Sequence, residues 1–501
     1  MVGGRLVVVA GASVAAWSDH VSVLRAAGAD NILIVANAWG AGPVPDATTV
    51  VVEAPNGLST MEQIRSDNRF LADPPIEVVD ALDEFDPGRE ALVLGSFLNT
   101  SPHLAGRRFV SHRRPEWVAL EDKVVVDAFW DRAGIAHQPS AVVSLDEAVG
   151  ASATIDRGAG TVWAADAREG FHGGASQTYW VADDASLDAA LEGLRPVCDR
   201  VRVMPFLDGI PCSIHGIVLP DGVAVFRPVE MVTLRRDREF VYAGCATYWD
   251  PPDEVRAEMR SIASITGARL ADELGFRGAF TVDGVVASDG FWPTELNPRF
   301  GAGLMTIARA RGAPILLVND LVVGGHDLGR TAAAIEEGLL TLADDHRGGG
   351  TWIGGLSHGA ERSTRGASRA DDGTWRWSEG DVHEPSGRVT SGVVTIGPGL
   401  VRCVYDPDHT PIGPSTAPRA CEFWRFVDRE LDTASGALTP APDISAESCA
   451  KSRHPGGSLI AADHFRRAMS ERPSSGRFAH RFEPSGGQGG DRVVDAIDGH
   501  Q

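Results

Sequence analysis

Two carboxylates and one amide near residue 290 have the spacing of a metal site. Asp283 ends an apolar run that reads as a strand, and Glu295 and Asn297 stand two apart in the next predicted strand. Because side chains alternate along a strand, Glu295 and Asn297 share one face, and a hairpin would place Asp283 beside them. Such hard oxygen ligands suit Mg²⁺ that bridges nucleotide phosphates. Taken alone, the pattern also fits a surface hairpin with solvated acids.

Arg299 follows on a glycine-containing loop, where its fork of N–H groups could hold an anion. The run GFRGAFTVDGVVASDGFWPTELNPRFGAG resembles the metal-binding end of the ATP-grasp superfamily, in which an acid on one strand precedes E-x-N-P-R on the next. The resemblance implies that Asp283, Glu295 and Asn297 hold two Mg²⁺ ions. It also implies that Arg299 contacts the transferred phosphate or an acyl-phosphate intermediate and is catalytic.

Lys123 is conspicuous because lysine occurs only twice in the chain, at positions 123 and 451. Asp122-Lys123, with Ala133-Gly134-Ile135 and Pro139 after it, resembles the "DK…AGIP" opening of the ATP-grasp domain, whose lysine touches ATP phosphate. An ammonium on a mobile side chain is a point charge suited to polyphosphate. We therefore expect a catalytic and ATP-binding role for Lys123, and a solvated helix lysine is the alternative.

Two further segments resemble parts of the ATP-grasp nucleotide site. The loop 169–176 lies between predicted strands, and its glycines would free backbone N–H groups for phosphate oxygens. The segment 204–207 resembles the strand that receives adenine, and Arg235, on a later strand, could meet phosphate or a substrate carboxylate. The alternatives are that the loop 169–176 is an ordinary hairpin loop, that the segment 204–207 belongs to the hydrophobic core, and that Arg235 is a surface arginine. The residues predicted to contact the nucleotide are Lys123, Arg168, Gly170, His172, Gly173, Gly174, Ser176, Met204, Pro205, Phe206, Leu207 and Arg235.

The sequence departs from the family pattern at the strand before the glycine-rich loop. The family usually carries a second lysine there, whereas TVWAADAR has none, and Arg168 is the candidate substitute. Glutamates that the family often places around the adenine and ribose are replaced here by Met204 and Pro211. These departures keep open a second hypothesis, a nucleotide-binding protein without catalysis.

The apolar pattern predicts a chain of combined α/β and α+β class. Strands alternate with helices near the N-terminus, which predicts a parallel sheet covered on both faces. The middle of the chain is rich in antiparallel strands, and the end is rich in Pro, Ser, Gly and Ala. The predicted parts are a pre-ATP-grasp domain (1–115), the ATP-grasp domain (116–335), a small C-terminal α+β domain (336–435) and a disordered tail (436–501).

Three local predictions concern single elements. Residues 223–232 (VAVFRPVEMV) are predicted as one strand, and residues 303–323 are predicted to be helical. A short helix is considered for 459–469 within the tail. No G-x-G-x-x-G follows the first strand, so a dinucleotide oxidoreductase is the weakest functional alternative.

Composition excludes several classes of partner. The formal net charge is −22 and no local basic patch is recognised, so neither nucleic acid nor an anionic membrane surface is expected. No apolar run reaches the ~18 residues of a membrane span. The six cysteines form no C-x-x-C pair, which favours a reducing, cytoplasmic setting.

The resemblance implies an ATP-dependent ligase that joins a carboxylate to an amine through an acyl phosphate and releases ADP and phosphate. The third region, with TWIGGLSHG, resembles the C-terminal domain of pheganomycin-type peptide ligases of natural-product pathways. The expected cofactors are ATP and Mg²⁺, and the expected partners are a small carboxylate and an amino-acid or peptide amine, with a homodimer as the assembly considered. A different acceptor, as in a dipeptide ligase or a carboxylase, is the alternative within the superfamily.

Overall fold

The computed structural model describes residues 5–40, 42–55, 60–168, 173, 175–309, 313–356, 362–378, 391–397 and 399–442. Gly170, His172 and Gly174 of the predicted phosphate loop lie outside these residues, as do the predicted helix at 459–469 and the rest of the tail from 443. None of the helices in the described ranges is long and apolar enough to cross a membrane.

The N-terminal part folds around a parallel sheet of four described strands in the order β3-β2-β1-β4. Val7 and Val9 pack into one apolar cluster and Val8 and Ala10 into another, so both faces of the first strand are buried, as the apolar run predicts. The strands are β1 (Leu6–Ala10), β2 (Asn31–Ala36), β3 (Thr48–Val51) and β4 (Leu92–Gly95), and the helices α1 (Ser18–Ala26), α2 (Thr60–Ala72) and α3 (Ile76–Phe85).

A short connecting region leads to a second, antiparallel sheet in the order β7-β10-β8-β9. Apolar side chains of its strands, such as Trp163 and Val203, pack on two helices that follow β7 and β9. The elements of this part are β5 (His103–Leu104), β6 (Arg107–Arg108), α4 (Pro115–Val118), α5 (Val126–Ala133), β7 (Ala141–Ser144), α6 (Ala148–Ile155), β8 (Thr161–Ala165), β9 (Thr178–Val181), α7 (Asp184–Leu194) and β10 (Arg200–Pro205).

The third sheet contains eleven described strands, in the order β16-β15-β11-β13-β14-β17-β21-β20-β18-β19 with β12 paired to β11. Its strands are β11 (Ile210–Leu219), β12 (Gly222–Val225), β13 (Val229–Arg236), β14 (Glu239–Ala246), β15 (Gly278–Ala287), β16 (Gly290–Asn297), β17 (Gly349–Gly354), β18 (Ser363–Arg369), β19 (Trp375–Trp377), β20 (Gly392–Gly397) and β21 (Leu400–Tyr405). The helices are α8 (Asp253–Leu274), α9 (Ala302–Arg309), α10 (Ile315–Val323), α11 (Ala332–Asp345) and α12 (Ala417–Leu431).

The large sheet runs without a break from the central part into the C-terminal part, because β14 pairs with β17. Glycine is required at this junction, since a Cβ on Gly350 would lie 1.9 Å from the carbonyl oxygen of Cys403. Residues 436–442, the first part of the predicted tail, are held by the sheet: Arg235 and Thr439 exchange two backbone hydrogen bonds of 2.8 Å. The domain limits at 115, 335 and 435 remain predictions.

One predicted element is wrong, and one predicted helical segment is divided. Residues 223–232 form two strands, β12 and β13, because the pairing with β11 is interrupted between Val225 and Val229. The buried Arg227 guanidinium is anchored there by ion pairs of 2.5 Å to Asp250 and to Asp344. The predicted helical segment 303–323 contains two helices, α9 and α10, and Pro314 precedes the first residue of α10, where it cannot continue a helix.

Candidate active site

The hairpin of β15 and β16 brings the predicted metal ligands together. Asp283 is paired with Glu295 and Thr281 with Asn297, so all four side chains lie on one face of the sheet. Their neighbours Val282 and Leu296 point the other way, into the apolar cluster beneath α8. A register shift directly after Asp283 ends the regular pairing at this point. The alternation of side chains therefore produces the three-residue oxygen cluster that the sequence predicts.

Hydrogen bonds fix the Asp283 carboxylate from two sides. Asn297 donates from Nδ2 to Asp283 Oδ2 at 2.8 Å, and Ser213 on β11 donates from Oγ to Asp283 Oδ1 at 2.5 Å. Burial, and then the nearby negative charge of Glu295, raise the pKa of Asp283 above its ordinary range. Two crowded carboxylates of this kind favour a bound cation, because a cation relieves their repulsion.

Lys123 reaches this cluster from the region before α5. Its side chain is 8% exposed, and its Nζ lies 3.9 Å from Glu295 Oε2. The preceding residue, Asp122, shapes the turn by accepting a hydrogen bond from the Val124 amide at 3.1 Å. The Lys123 ammonium thus lies beside the β15–β16 hairpin, although the two are about 160 residues apart in the sequence.

Arg299 lies between the oxygen cluster and a buried carboxylate that sequence reasoning missed. It donates from Nη2 to Asn297 Oδ1 at 3.0 Å, and its Nε lies 3.2 Å from Glu121 Oε1. The same Glu121 oxygen accepts a hydrogen bond from Arg113. Two guanidiniums therefore share one carboxylate. Glu121 stands two residues before Lys123, and this proximity was the only signal that could have identified it.

A second layer supports the turn that carries Arg299. His215 is 1% exposed, and its Nδ1 lies 2.9 Å from Thr281 Oγ1. Burial and the charge of Arg299 lower the pKa of His215 to about 3, so this ring is neutral. Gly301 and Gly303 pack against its edge, since a Cβ on Gly303 would lie 2.3 Å from His215 Nε2. The glycines after E-L-N-P-R are therefore needed for close packing.

A pocket opens beside Arg299, at the turn that follows the antiparallel hairpin of β15 and β16. Its enclosed space is small, about 30 Å³, and it is partly open to solvent. Loops that follow the N-terminal sheet form one wall, and the Pro298–Phe300 turn and α10 form another. The polar and aromatic side chains on these walls include Asn99, Ser111, His112, Arg113, Trp117 and Asn319.

The described part of the predicted phosphate loop is a turn. Ser176 Oγ donates to the carbonyl of Gly173 at 2.8 Å, directly before β9. Arg168 does not turn toward Lys123 in this structure: its Nη1 lies 2.9 Å from Asp199 Oδ1, and it also donates to the Pro196 carbonyl. The structure therefore does not bring Arg168 together with the oxygen cluster.

A different cation stands beside the position that lacks the family lysine. Arg202 on β10 is paired with Ala164 on β8 and is 2% exposed. It donates to both carboxylate oxygens of Asp127 at 2.7 and 2.6 Å, and to the Thr294 carbonyl at 3.0 Å. This arginine thus connects the second sheet to α5 and to the strand that carries Glu295.

The predicted adenine segment lies at the end of β10. Met204 is buried, Pro205 ends the strand, and Leu207 follows in the connection to β11. The Phe206 ring stacks on Trp180 of β9 with a centroid distance of 3.9 Å and an interplanar angle of 8°. Trp180 was not predicted.

Arg235 belongs to this aromatic group. Its guanidinium lies 6.0 Å from the Phe206 ring and 3.6 Å from Asp208, and it donates to the Pro440 carbonyl. The site residues therefore form two groups. Asp283, Glu295, Asn297, Lys123 and Arg299 form one, and the segment 204–207 with Arg235 forms the other.

Comparisons with known proteins agree with this architecture. No protein-family model matches the chain. A segment of 128 residues is 22% identical to the arginine-specific large chain of carbamoyl phosphate synthase from Geobacillus stearothermophilus, and covers 26% of this chain but 12% of that one. Biotin carboxylase from Campylobacter jejuni superposes with a TM-score of 0.50 at 12% identity, covering 88% of this chain and 93% of that one.

Pyruvate carboxylase from Rhizobium etli superposes equally well, with a TM-score of 0.50 at 15% identity over 87% of this chain and 38% of that one. The chain has the ATP-grasp fold. This finding confirms the predicted fold class, a parallel N-terminal sheet followed by an ATP-grasp body and a C-terminal α+β part. The chain spans only a minor part of the length of the carbamoyl phosphate synthase and pyruvate carboxylase chains.

The donor set of this ATP-grasp hairpin fits magnesium. In the described ranges no group of three or more His, Cys, Asp or Glu side chains has metal-site geometry, and the hairpin contributes two carboxylates and one amide. Hard cations accept carboxylate and amide oxygens, and Mg²⁺ in particular takes few protein ligands, leaving positions for water and substrate phosphates. Carboxylate and amide oxygens suit Mg²⁺ and Mn²⁺, whereas zinc and copper sites usually include sulfur or imidazole ligands.

Proposed function

We propose that this protein is an ATP-dependent ligase that activates a carboxylate as an acyl phosphate and transfers the acyl group to an amine. The observation that carries the proposal is the convergence of Asp283, Glu295 and Asn297 with Lys123 at 3.9 Å and Arg299 at 3.0 Å. Such an arrangement of oxygen ligands and cations is suited to moving a phosphoryl group between two anions.

Asp283, Glu295 and Asn297 would hold Mg²⁺, two ions by the family resemblance. When bound, the metal offsets charge on the phosphates of the nucleotide. The Asp283 carboxylate is held for this task by Ser213 and Asn297, so little reorganisation is needed when ATP enters.

Lys123 and Arg299 approach the cluster from separate elements. In the proposed reaction Lys123 binds phosphate oxygens of ATP, and Arg299 holds the acid so that a carboxylate oxygen faces the γ-phosphorus. The carboxylate oxygen bonds to phosphorus as the bond to the ADP oxygen breaks. The amine then attacks the acyl carbon and releases inorganic phosphate. The protein chiefly positions these groups and excludes water.

Oxygen tracing tests this sequence of steps. An acid labelled with ¹⁸O in its carboxylate, incubated with ATP, Mg²⁺ and an amine, should transfer one ¹⁸O atom to inorganic phosphate, detected by mass spectrometry. The label moves because the carboxylate oxygen becomes the bridge of the acyl phosphate. ADP release with no ¹⁸O in phosphate would contradict the acyl-phosphate route.

Substitution of Glu295 tests the metal assignment. We expect Glu295→Gln to lower ADP formation by about 10²–10³-fold, because an electrostatic contact made to developing charge is lost. Glu77→Gln, an exposed glutamate at the start of α3, is the matched control and should retain full activity. Equal activity of Glu295→Gln and the control would contradict the assignment of Glu295 as a metal ligand.

A nucleotide-binding protein without catalysis is the second candidate. It is favoured by one observation: Arg168, the proposed substitute for the family's second lysine, is bonded to Asp199 and Pro196. This candidate predicts thermal stabilisation by Mg·ATP but no ADP release with any acid and amine. Substrate-dependent ADP release would exclude it. The proposal for the ligase includes an amino acid or peptide as the amine, a role in a natural-product pathway, and a homodimer as the assembly.

A further inference from the structure

A short basic segment lies beside the pocket at Arg299, although the formal net charge of the chain is −22. Residues 103–114 contain no Asp or Glu, so this segment is a local basic stretch that was not recognised from the composition. The basic residues of this segment are His103, Arg107, Arg108, His112, Arg113 and Arg114. A local cluster of positive charge in a protein of negative net charge is a candidate anion-binding site.

Two of these arginines have structural partners. Arg107 is buried and its Nε lies 2.9 Å from Asp86 Oδ2. Arg113 is 5% exposed, lines the pocket, and shares the Glu121 carboxylate with Arg299. Arg113 and Arg299 thus bring two guanidiniums to this wall, beside the carboxylates of Glu121, Glu295 and Asp283.

The same segment adds further positive charge next to the pocket. His112 lines the pocket, and its pKa is lowered first by burial and then by the positive charges of Arg114, Arg108 and His103, against the opposing charge of Glu116. The Arg114 guanidinium lies 5.0 Å from the Trp117 ring centroid, and Trp117 is also in the pocket wall. Neither Arg108 nor Arg114 has an ion-pair partner within the part of the chain that the structure describes.

We infer that this pocket takes a small acid that carries a second anionic group in addition to the carboxylate activated at Arg299. The inference rests on the proposed function and specifies its donor substrate. One anionic group would lie at Arg299, near the oxygen cluster. The other would face Arg113 and His112, with Arg108 and Arg114 attracting it from beside the pocket.

Calorimetric binding in the presence of saturating Mg·ADP tests the inference without requiring turnover. The probes are glutarate and phosphoserine, which carry a second carboxylate or a phosphate, and butyrate, which has one charge. We expect both dianions to bind more tightly than butyrate. Their affinity should fall as salt is raised from 50 to 300 mM, because the charges of Arg108 and Arg114 are exposed and therefore screened. Tighter binding of glutarate would identify the second anionic group as a carboxylate, and tighter binding of phosphoserine would identify it as a phosphate.

Variants of Arg108 and Arg114 test whether these side chains contribute to dianion binding. Arg108→Gln with Arg114→Gln should weaken dianion binding about five- to tenfold and leave butyrate unchanged, as expected for loss of partly screened charge pairs. Arg108→Gln alone, which leaves the contact of Arg114 with Trp117 intact, should give a smaller loss. Arg429→Gln, an exposed arginine of α12, is the control and should bind like the wild type.

The outcomes separate the inference from the proposed function. Butyrate binding as tightly as the dianions, or unchanged dianion binding in the double variant, would overturn the inference. ADP release with monoanionic acids alone would also overturn it while leaving the ligase intact. Selective dianion binding that depends on Arg108 and Arg114, but without ADP release, would support the pocket and count against the ligase.

Discussion

Glu121 is the side chain on which the arrangement of cations at the site depends. It is 3% exposed and contacts both Arg299 and Arg113. Without a carboxylate between them, the two buried guanidiniums would repel each other, and burial already disfavours the charged form of Arg113. Glu121 therefore both stabilises the fold and sets the direction of Arg299 toward Asn297.

Replacement of Glu121 by Gln should destabilise the protein. We expect a loss of about 3–5 kcal/mol in the free energy of unfolding, because a buried charge pair is broken by removal of one partner. Urea denaturation measures it. Glu116→Gln, an exposed neighbour at the start of α4, should change stability by less than about 0.5 kcal/mol. Equal stability of the two variants would show that Glu121 does not hold the guanidiniums together.

The spacing of residues along strands predicted the oxygen cluster but not its partners. Glu295 and Asn297 share a face because the strand period is two, and the hairpin is short enough to place Asp283 beside them. Glu121 and Ser213 join the site through tertiary packing, about 160 and 70 residues from the hairpin, and no local pattern marks them. Arg168 was chosen by position along the chain, and its contacts with Asp199 could be known only from the fold.

Helix α9 begins directly after the turn that carries Arg299, and its first residues pack on His215. The ring of His215 is held by its hydrogen bond with Thr281, on the sheet face that also carries Asp283, Glu295 and Asn297. A close approach of this helix to the sheet thus positions the turn, and the absence of a side chain at Gly303 permits the approach.

Gly303→Ala should therefore weaken the site although alanine favours helices. The new Cβ would lie 2.3 Å from His215 Nε2, so α9 or the ring must shift, at a cost of about 1–3 kcal/mol. ADP formation should fall with it, because the Arg299 turn moves. Gly338→Ala on α11, where nothing lies within 4 Å, should instead stabilise by about 0.5–1 kcal/mol. Thermal unfolding and activity of both variants measure the contrast; similar effects would refute the packing argument.

Element boundaries were predictable where one pattern dominates and not where a single residue interrupts it. The 22-residue helix α8 and the valine-rich β1 follow from their apolar patterns. Residues 223–232 look like one strand because the apolar pattern continues through Pro228. The break there depends on the partners of Arg227, which lie at Asp250 and Asp344.

At the scale of the molecule, α10 links the N-terminal part to the large sheet. Leu317 and Leu321 pack into the core of the parallel sheet, whereas Ile315 and Val322 pack into the core beneath α9. Between these faces lies Asp320, 1% exposed, which accepts a hydrogen bond of 2.6 Å from Ser111 Oγ in the pocket wall.

This buried carboxyl should make stability depend on pH. Burial raises the pKa of Asp320 from 3.8 to about 7, so the unfolded chain releases this proton at lower pH than the folded protein. The contribution of Asp320 to the free energy of unfolding is therefore greatest below pH 4, and it is lost as the pH rises toward 7. Between pH 5 and 8 the wild type should lose about 3 kcal/mol relative to Asp320→Asn.

Urea denaturation of wild type and Asp320→Asn at several pH values measures this difference, since other titrating groups are common to both proteins. Asp188→Asn, an exposed aspartate on α7, supplies the control and should track the wild type at every pH. A constant difference between wild type and Asp320→Asn across the range would show that Asp320 does not titrate there.

The architecture as a whole was predictable from the order of patterns along the chain, and the ATP-grasp fold confirms it. The continuous sheet across β14 and β17 was not predicted. Its pairing depends on Gly350, which permits the close approach of a neighbouring backbone, and nothing in the local sequence says which strand will approach.

Binding of Mn²⁺, followed by electron paramagnetic resonance in the presence of ADP, tests the central claim most directly because it needs no knowledge of the acid or the amine. The account predicts nucleotide-dependent Mn²⁺ binding in the wild type and in Glu77→Gln, and its loss when Asp283 is replaced by Asn or Glu295 by Gln. Unchanged Mn²⁺ binding in those two variants would contradict the claim that this hairpin is the metal centre.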